Sequence, residues 1–489
     1  MRKSSLIFLL IFFILIFKYN IYPQKIAKHN LGKLNVTFIE TGVNTREDYS
    51  GVASMIYPHG FYNRRNLELW FNMFVAKNWI NPEGEIETNV VWSPEKTYDG
   101  SAIPISIITH NRFEPPTIII NNKNATLPFV GMVDPNIPSD SYVEWVYGTQ
   151  EVIGIKSFHR SYAYVNSNHD DYILIEQTFL FDGDIDDDPG QDVPDQTIDF
   201  AWFDALSLDI PMEAASNTNR TGWSSGHGWA TWDSYKNYMG QELLVKDKDR
   251  DDLLISYFYS EDHIQQTAPK GYSDEQVSKY YDLKGVPDPK TGMFLAPQYG
   301  GIAILHADKS ASDSEDDINK PKSLQYMWHS KNFWGKSWDY DFWKFVVDPE
   351  LRPKEQWIEE NFPYNETSVE NVFLVQGVGP YSLSIGDVFS CVYAIGFGSI
   401  NEDLCSSEGA KWYNWYWDLP GEKLDDAGKN ALISQGKDSL FVNLDRAYWA
   451  FNRDFDIPDP LPAPDIEVTG GPDRIEIKRW IFNIENSHK

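Results

Sequence analysis

Seven aspartates fall within one short stretch: Asp182, Asp184, Asp186, Asp187, Asp188, Asp192 and Asp195. Gly183 and Gly190 lie among them. Alternating acids on a turn-forming segment gather hard oxygen donors, the set that suits Ca²⁺. Asp182, Asp184 and Asp186 carry the 1, 3, 5 spacing of an EF-hand loop. Position 6 is Asp187 instead of Gly, and position 12 is Val193 instead of Glu, so the segment is not an EF-hand. The candidate calcium ligands are Asp182, Asp184, Asp186, Asp188 and Asp192. A solvated acidic loop is the competing reading.

The other constellations are weaker. Asp247, Asp249, Asp251 and Asp252 alternate with Lys246, Lys248 and Arg250, which neutralise them and make a charged turn. Gly222-Trp223-Ser224-Ser225-Gly226 matches the G-x-S-x-G pattern beside His227. The residues before it, Ser216 to Arg220, are polar, whereas a nucleophile elbow needs a buried strand there. His159, His169, His306 and His329 show no zinc-ligand spacing. His169-Asp170-Asp171 and His306-x-Asp308 would contribute to a metal site only if the fold brought them together. Gly377-x-Gly379 and Gly396-x-Gly398 lack the third glycine and the strand-to-helix setting of a dinucleotide site. No catalytic set emerges.

Aromatic residues supply a different candidate. The chain holds 18 Trp and 27 Tyr, with dense runs at Phe333-Trp334, Trp338 to Trp343 and Trp412 to Trp417. Exposed indole and phenol faces stack on sugar rings, which makes Trp338, Trp343, Trp415 and Trp417 candidate glycan contacts. Packing inside a β core is the competing reading. A glycosidase needs two carboxylates facing each other across a cleft, and among 72 acids no pair stands out.

Strand signals dominate the elements that would position these residues. Tyr172 to Phe181 alternates, with Ile173, Ile175, Phe179 and Phe181 on one face and Glu176 and Thr178 on the other. Leu253 to Tyr259 and Phe389 to Phe397 repeat that period of two. Further strands are expected at 34–39, 87–92, 102–109, 116–120, 142–147, 152–165, 301–306 and 372–376. Helices are expected at Asn66 to Val75, Lys354 to Glu360, Asp425 to Ser434 and Leu444 to Arg453. Residues 262–292 and 307–322 read as long surface loops. Pro and Gly punctuate the spaces, as in an antiparallel β-sandwich. The expected fold is therefore mainly β, with sandwich-like units, long loops and a few short helices.

At 489 residues the chain exceeds one ordinary core. The expected units are 25–195 and 196–455, then a stiff linker at 456–464 with four prolines, and a C-terminal segment at 465–489. The net charge of −30 repels nucleic-acid phosphates and anionic lipids, and it attracts cations. Arg2 and Lys3 precede an apolar run of 12 residues, Leu6 to Phe17. Such a run is short for a bilayer span of ~20 residues. It fits a signal peptide over residues 1–24, with an uncleaved N-terminal anchor as the alternative, and no later segment is apolar enough to span. The chain is thus expected to be secreted or displayed at the cell surface, with an extracellular partner or glycan. Cys391 and Cys405 are the only cysteines and could pair in that compartment.

Gly379-Pro380-Tyr381-Ser382-Leu383-Ser384-Ile385-Gly386-Asp387 leads into a strand ending Tyr393-Ala394-Ile395-Gly396-Phe397-Gly398. This segment resembles a recurring one in large exported β-rich proteins of marine bacteria of the Bacteroidetes–Chlorobi kind. In them a helix, a Pro-rich linker and a fibronectin type III-like module follow. Here Leu444 to Arg453 and residues 456–464 stand in the matching order. Gly300 to Lys309 and Tyr162 to Tyr172 are also similar to that group. The resemblance implies an exported, surface-exposed β architecture and no particular activity. Two departures are visible: Ile385 replaces the usual Pro of the turn, and Trp480 lies three residues after Ile477, one more than in the module. Residues 465–489 accordingly read as an incomplete module or a tail strand.

Overall fold

The computed structural model describes residues 26–40, 43–46, 55–58, 65–94, 101–114, 116–126, 131–208, 235–243, 254–262, 284–285, 287–288, 291–295, 297–320, 323–328, 343, 347, 372–458, 465–470 and 475–480. Its first strands are β1 (Ile26–Leu31), β2 (Leu34–Ile39), β3 (Val43–Arg46), β4 (Met55–Ile56), β5 (Arg65–Lys77), β6 (Trp79–Ile80), β7 (Ile86–Glu87) and β8 (Val90–Trp92). Then come β9 (Ser101–Asn111), β10 (Ile118–Ile120), β11 (Lys123–Asn124), β12 (Met132–Val133), β13 (Ser141–Gln150), β14 (Ile155–Ala163), β15 (Tyr172–Phe181) and β16 (Thr197–Leu208). The chain continues through β17 (Tyr235–Leu243), β18 (Leu254–Asp262), β19 (Tyr299–Ser310), β20 (Asp313–Asp316), β21 (Ser323–Trp328), β22 (Val372–Ser384) and β23 (Val388–Gly398). Helices α1 (Glu402–Tyr416) and α2 (Asp426–Phe451) follow, and the hairpin β24 (Asp465–Gly470) and β25 (Ile475–Trp480) comes last.

Two large sheets form a sandwich. The first runs β1-β2-β4-β5-β16-β22-β21, with β3 and β8 also on β5. The second runs β12-β9-β13-β14-β15-β23-β19-β18-β17, with β20 on β19. Pairing is antiparallel except for β12 with β9 and β10 with β24. The fold is thus mainly β and sandwich-like, as the alternation predicts. The second sheet has apolar residues on both faces. Ile173, Ile175, Phe179 and Phe181 of β15 enter the core between the sheets. Tyr172 and Leu174 point the other way, into a second core closed by the two helices. Three layers result: sheet, sheet and helix pair.

The inter-sheet core is aromatic. Phe74 stacks on Trp92 at 4.8 Å between centroids, and Phe179 on Phe389 at 4.8 Å. Each such fully buried ring contributes about 1.5–3 kcal/mol relative to exposure. In the helix-side core, Leu440, Leu444 and Ala447 of α2 meet Leu174 and Ala394, while Cys405, Trp412 and Tyr416 of α1 line its flank. Asn401 caps α1 by accepting from the Asp403 N–H, and Asp425 caps α2 by accepting from the Gly428 N–H.

Several expectations are corrected. Asn66 to Val75 is not helical but the middle of β5. Met73, Phe74, Val75 and Ala76 are all fully buried, so both faces are apolar and the run carries no period to separate strand from helix. The two expected helices at 425–434 and 444–453 are one continuous helix of 26 residues, so the helices are not all short. Helix α1 was hidden in a stretch that reads only as an aromatic run. Residues 307–322 are not one loop: β19 extends to Ser310 and turns back through β20. Lys354 to Glu360 lies outside the described residues, as does most of 262–292.

Strand pairing crosses the expected division at 195/196. Strand β15 pairs with β23, and β16 pairs with both β5 and β22, so each sheet draws strands from both sides of that boundary. Long-range antiparallel pairing joins what composition separates. Ile457, at the start of the proline-rich stretch, is buried in the helix-side core. Strand β24 pairs in parallel with β10, Ile118 opposite Ile466, and makes a four-stranded sheet β11-β10-β24-β25. No helix among the described residues is long and apolar enough to cross a membrane.

Candidate functional site

The aspartate loop leaves the sandwich at the end of β15. Its path is fixed by backbone bonds to the turn between β13 and β14. The N–H groups of Asp182 and Gly183 donate to the Gly154 carbonyl at 3.1 and 3.0 Å, and Glu151 N–H donates to Ile185 O at 2.8 Å. Gly154 and Gly183 both have positive φ, 87° and 72°. A Cβ on Gly154 would come within 2.5 Å of Gly183 Cα, so the two turns touch only because residue 154 has no side chain, while a Cβ on Gly183 would press on Ile385 and Val193. Ile185 and Val193 drop into the inter-sheet core and pin the loop from beneath.

On this base three carboxylates converge. One oxygen each from Asp184, Asp186 and Asp192 lies within 4.8 Å of the other two. Two oxygens bound to a common Ca²⁺ at ~2.4 Å span at most about that distance. Asp192 also accepts from the Ile185 N–H at 2.9 Å, and Asp186 from the Asp188 N–H at 2.8 Å. Of the five expected ligands, then, three are brought together. Asp182 instead pairs with Lys156, whose Nζ lies 2.7 Å from its Oδ2 and 3.7 Å from Asp184 Oδ2. Asp188 stands outside the group.

The electrostatics favour a cation. Burial raises the Asp184 carboxyl above its usual range, and the charges of Asp182 and Asp192 push the same way. The Asp186 N–H and Lys156 work against them. Burial alone would lower the Lys156 ammonium, but its hydrogen bond to Asp182 and the charges of Asp182 and Asp184 leave it raised. Lys156 on β14 already supplies one positive charge to the cluster. It sits on a different strand some thirty positions away, so sequence spacing held no sign of it.

The aromatic candidates scatter. Trp338 lies outside the described residues. Trp343 is half-buried, with Lys77 Nζ 5.2 Å from its ring centroid. In α1 the helical period splits the aromatic run: Trp412 and Tyr416 are buried, Trp415 is half-buried and Trp417 is 42% exposed. Tyr413 packs edge-on against Trp417, with centroids 6.3 Å apart. The candidates therefore do not gather into one described surface.

Cys391 and Cys405, which could have paired, are not bridged and are both buried in this structure. Cys391 faces the inter-sheet core and Cys405 the helix-side core, so the second sheet stands between them. Burial, with Glu402 adding to it, pushes the Cys405 thiol up to about 12.

The histidines have separate partners. His306 lies between two carboxylates, Nε2 at 2.9 Å from Asp308 Oδ1 and Nδ1 at 3.5 Å from Asp316 Oδ1. Asp308 also accepts from the Ser390 N–H, which ties the β19–β20 hairpin to β23. His169 Nδ1 meets Tyr172 Oη at 2.6 Å and shares no partner with His306. Beside it, Asp171 accepts from Tyr57 Oη at 2.7 Å and pairs with Lys33 at 2.8 Å. Burial and the neighbouring Asp171 raise the Asp170 carboxyl. This buried acid pair locks the β1–β2 hairpin to the turn before β15. His329, Ser224, His227 and Asp247 to Asp252 lie outside the described residues.

Fold and loop together define a class: a two-sheet antiparallel β protein, covered by helices on one side, with a preorganised acidic loop at its rim. The chain matches no protein-family model and no curated protein.

Proposed function

We propose that this chain is an exported protein, extracellular or held at the cell surface, with a binding or structural role, and that its acidic loop takes up Ca²⁺. The observation that supports the ion is the convergence of Asp184, Asp186 and Asp192 within 4.8 Å on a loop held by its own backbone bonds. A cation there offsets the burial and the repulsion that raise Asp184, and backbone carbonyls and water complete the six to eight oxygens that calcium takes. The leader-like residues 1–24 and the surplus of 72 acids over 42 basic residues support export into a salt-rich medium.

A thermal melt of the chain lacking residues 1–24, in Ca²⁺ and in chelator, tests the ion. A site occupied at about 100 times its dissociation constant adds ~2.7 kcal/mol. Identical melting temperatures in the two conditions remove calcium from the proposal. Export is tested by expressing the whole chain with its leader in a bacterial host. Retention of all material in the cytoplasm removes that half.

A second reading rests on Trp417, which stands exposed at the end of α1 beside Tyr413. That platform would stack on a sugar ring. A glycan array probed with the native chain and with Trp417→Ala separates the two readings: equal signals from both discard the glycan.

A further inference from the structure

The inter-sheet core contains chemistry that its aromatic lining conceals. Trp145, His159, Gln177 and Cys391 stand directly opposite one another on β13, β14, β15 and β23. All four are fully buried and turned toward the first sheet. On the next rung Tyr147, Ser157, Phe179 and Phe389 do the same. Asn72 of β5 and Trp202 of β16 face them from the first sheet.

Part of this polar content is paired. Asn72 Nδ2 donates to Tyr147 Oη at 3.1 Å. Gln177 Nε2 donates to Tyr393 Oη at 3.1 Å and to Asn72 Oδ1 at 3.3 Å. Six atoms are sealed from solvent and have no hydrogen-bond partner among the described residues: Trp145 Nε1, Trp202 Nε1, Ser157 Oγ, Gln177 Oε1 and both ring nitrogens of His159. The His159 ring is clamped between Trp145 and Tyr147, with centroids 4.6 and 5.0 Å away and planes within 13° and 22°. It has little freedom to turn toward a protein partner.

Each orphaned buried group carries the full cost of its lost hydration. Six together would consume most of the margin by which a domain is stable. Something must pair with them, and their chemistry says what. The two indole N–H groups only donate, and Gln177 Oε1 only accepts. A neutral imidazole does one of each, and the Ser157 hydroxyl does either. A cation would face the indole donors, and an anion the amide oxygen. The partner is therefore neutral, both donor and acceptor, and small enough for a close-packed interior.

We infer that the rung Trp145–His159–Gln177, with Ser157 and Trp202, is a built binding site for a cluster of ordered water between the two sheets. With about three hydrogen bonds per buried water, six orphaned atoms and the paired groups around them call for about two or three molecules.

X-ray radiolytic footprinting tests this, because bound water is radiolysed in place and hydroxylates the side chains it touches whatever their exposure. The chain supplies its own controls. Trp79 Nε1 donates to Ile153 O and Trp412 Nε1 to Asp426 Oδ1, and both rings are as buried as Trp145 and Trp202. The expected result is several-fold faster oxidation of Trp145 and Trp202 than of Trp79 and Trp412. In the double variant His159→Phe, Gln177→Leu, Trp145 should fall to the control rate. Equal rates for all four tryptophans in the native chain overturn the inference. That comparison needs no variant, so it decides the matter even if the double variant fails to fold.

Discussion

Gly398 of β23 and Gly436 of α2 meet backbone to backbone. A Cβ on Gly398 would lie 2.7 Å from Leu440 Cα and collide with Leu440 N and Gly436 O. A Cβ on Gly436 would lie 2.9 Å from the Tyr299 ring. At this point α2 therefore rests directly on β23, an inner strand of the second sheet, backbone against backbone.

Gly398→Ala should be disproportionately damaging for so small a change. The atoms in its way are backbone, which cannot swing aside, so the cost should reach the upper end of overpacking, about 3 kcal/mol. Urea denaturation measures it. A variant as stable as the parent would mean that α2 does not dock at this point.

Asp184→Asn should act with opposite signs in two media. In chelator it removes a partly buried carboxyl raised by burial and by the charges of Asp182 and Asp192, so stability should stay level or rise. In Ca²⁺ it should abolish the gain seen for the parent. Differential scanning calorimetry in both buffers reads the two effects together. Loss of stability in chelator would show that Asp184 serves the loop through hydrogen bonds and not through its charge.

Acid should weaken the fold well above the carboxylate range. Burial lowers His29 and His159 from 6.5 to about 3. A histidine depressed in the native state takes up its proton first when unfolded. Its contribution is complete above pH ~6.5 and is lost as pH falls from there toward ~3. By pH 5 each costs about 2 kcal/mol by linkage, an order-of-magnitude figure. Asp170 and Asp184, both raised, act in the opposite sense, because their native forms bind protons more readily than their unfolded ones above 3.8. Urea midpoints at pH 7 and pH 5 should separate clearly for the parent and by less for His159→Phe, in which His29 and His169, also lowered by burial, still act. Equal separations would remove His159 from the account.

Cys391 and Cys405 should behave as thiols even after export. Titration with a thiol reagent, without reductant, should find none reactive in the native chain and two after unfolding. A mass two hydrogen atoms lower, with no thiol on unfolding, would mean that the bridge had formed by oxidation and the two cores had rearranged.

Alternation made much of the second sheet legible: β15 and β23 follow the expected faces residue by residue, since a strand buried among neighbours shows its period directly. Strand β5 was not legible. Met73 to Ala76 are buried on both of its faces, and pairing with β4 and β16 made it a strand. The loop was visible as a cluster of aspartates, but which three converge depended on Gly154 meeting Gly183 and on Lys156 taking Asp182. The wet rung was not visible at all. Trp145, His159 and Gln177 are remote in sequence from Asn72 and Trp202, and each alone reads as an ordinary strand residue.

The sequence by itself determined the class of structure, the acidity, the leader-like start and the segment where cation ligands crowd. These follow from composition and from periods of two, which are local properties. Only the tertiary structure decided that both halves share two sheets, that the cysteines lie on opposite sides of one of them, and which polar atoms are left facing each other inside. Those outcomes depend on the register between strands far apart in the chain, and no local pattern of side chains encodes that register.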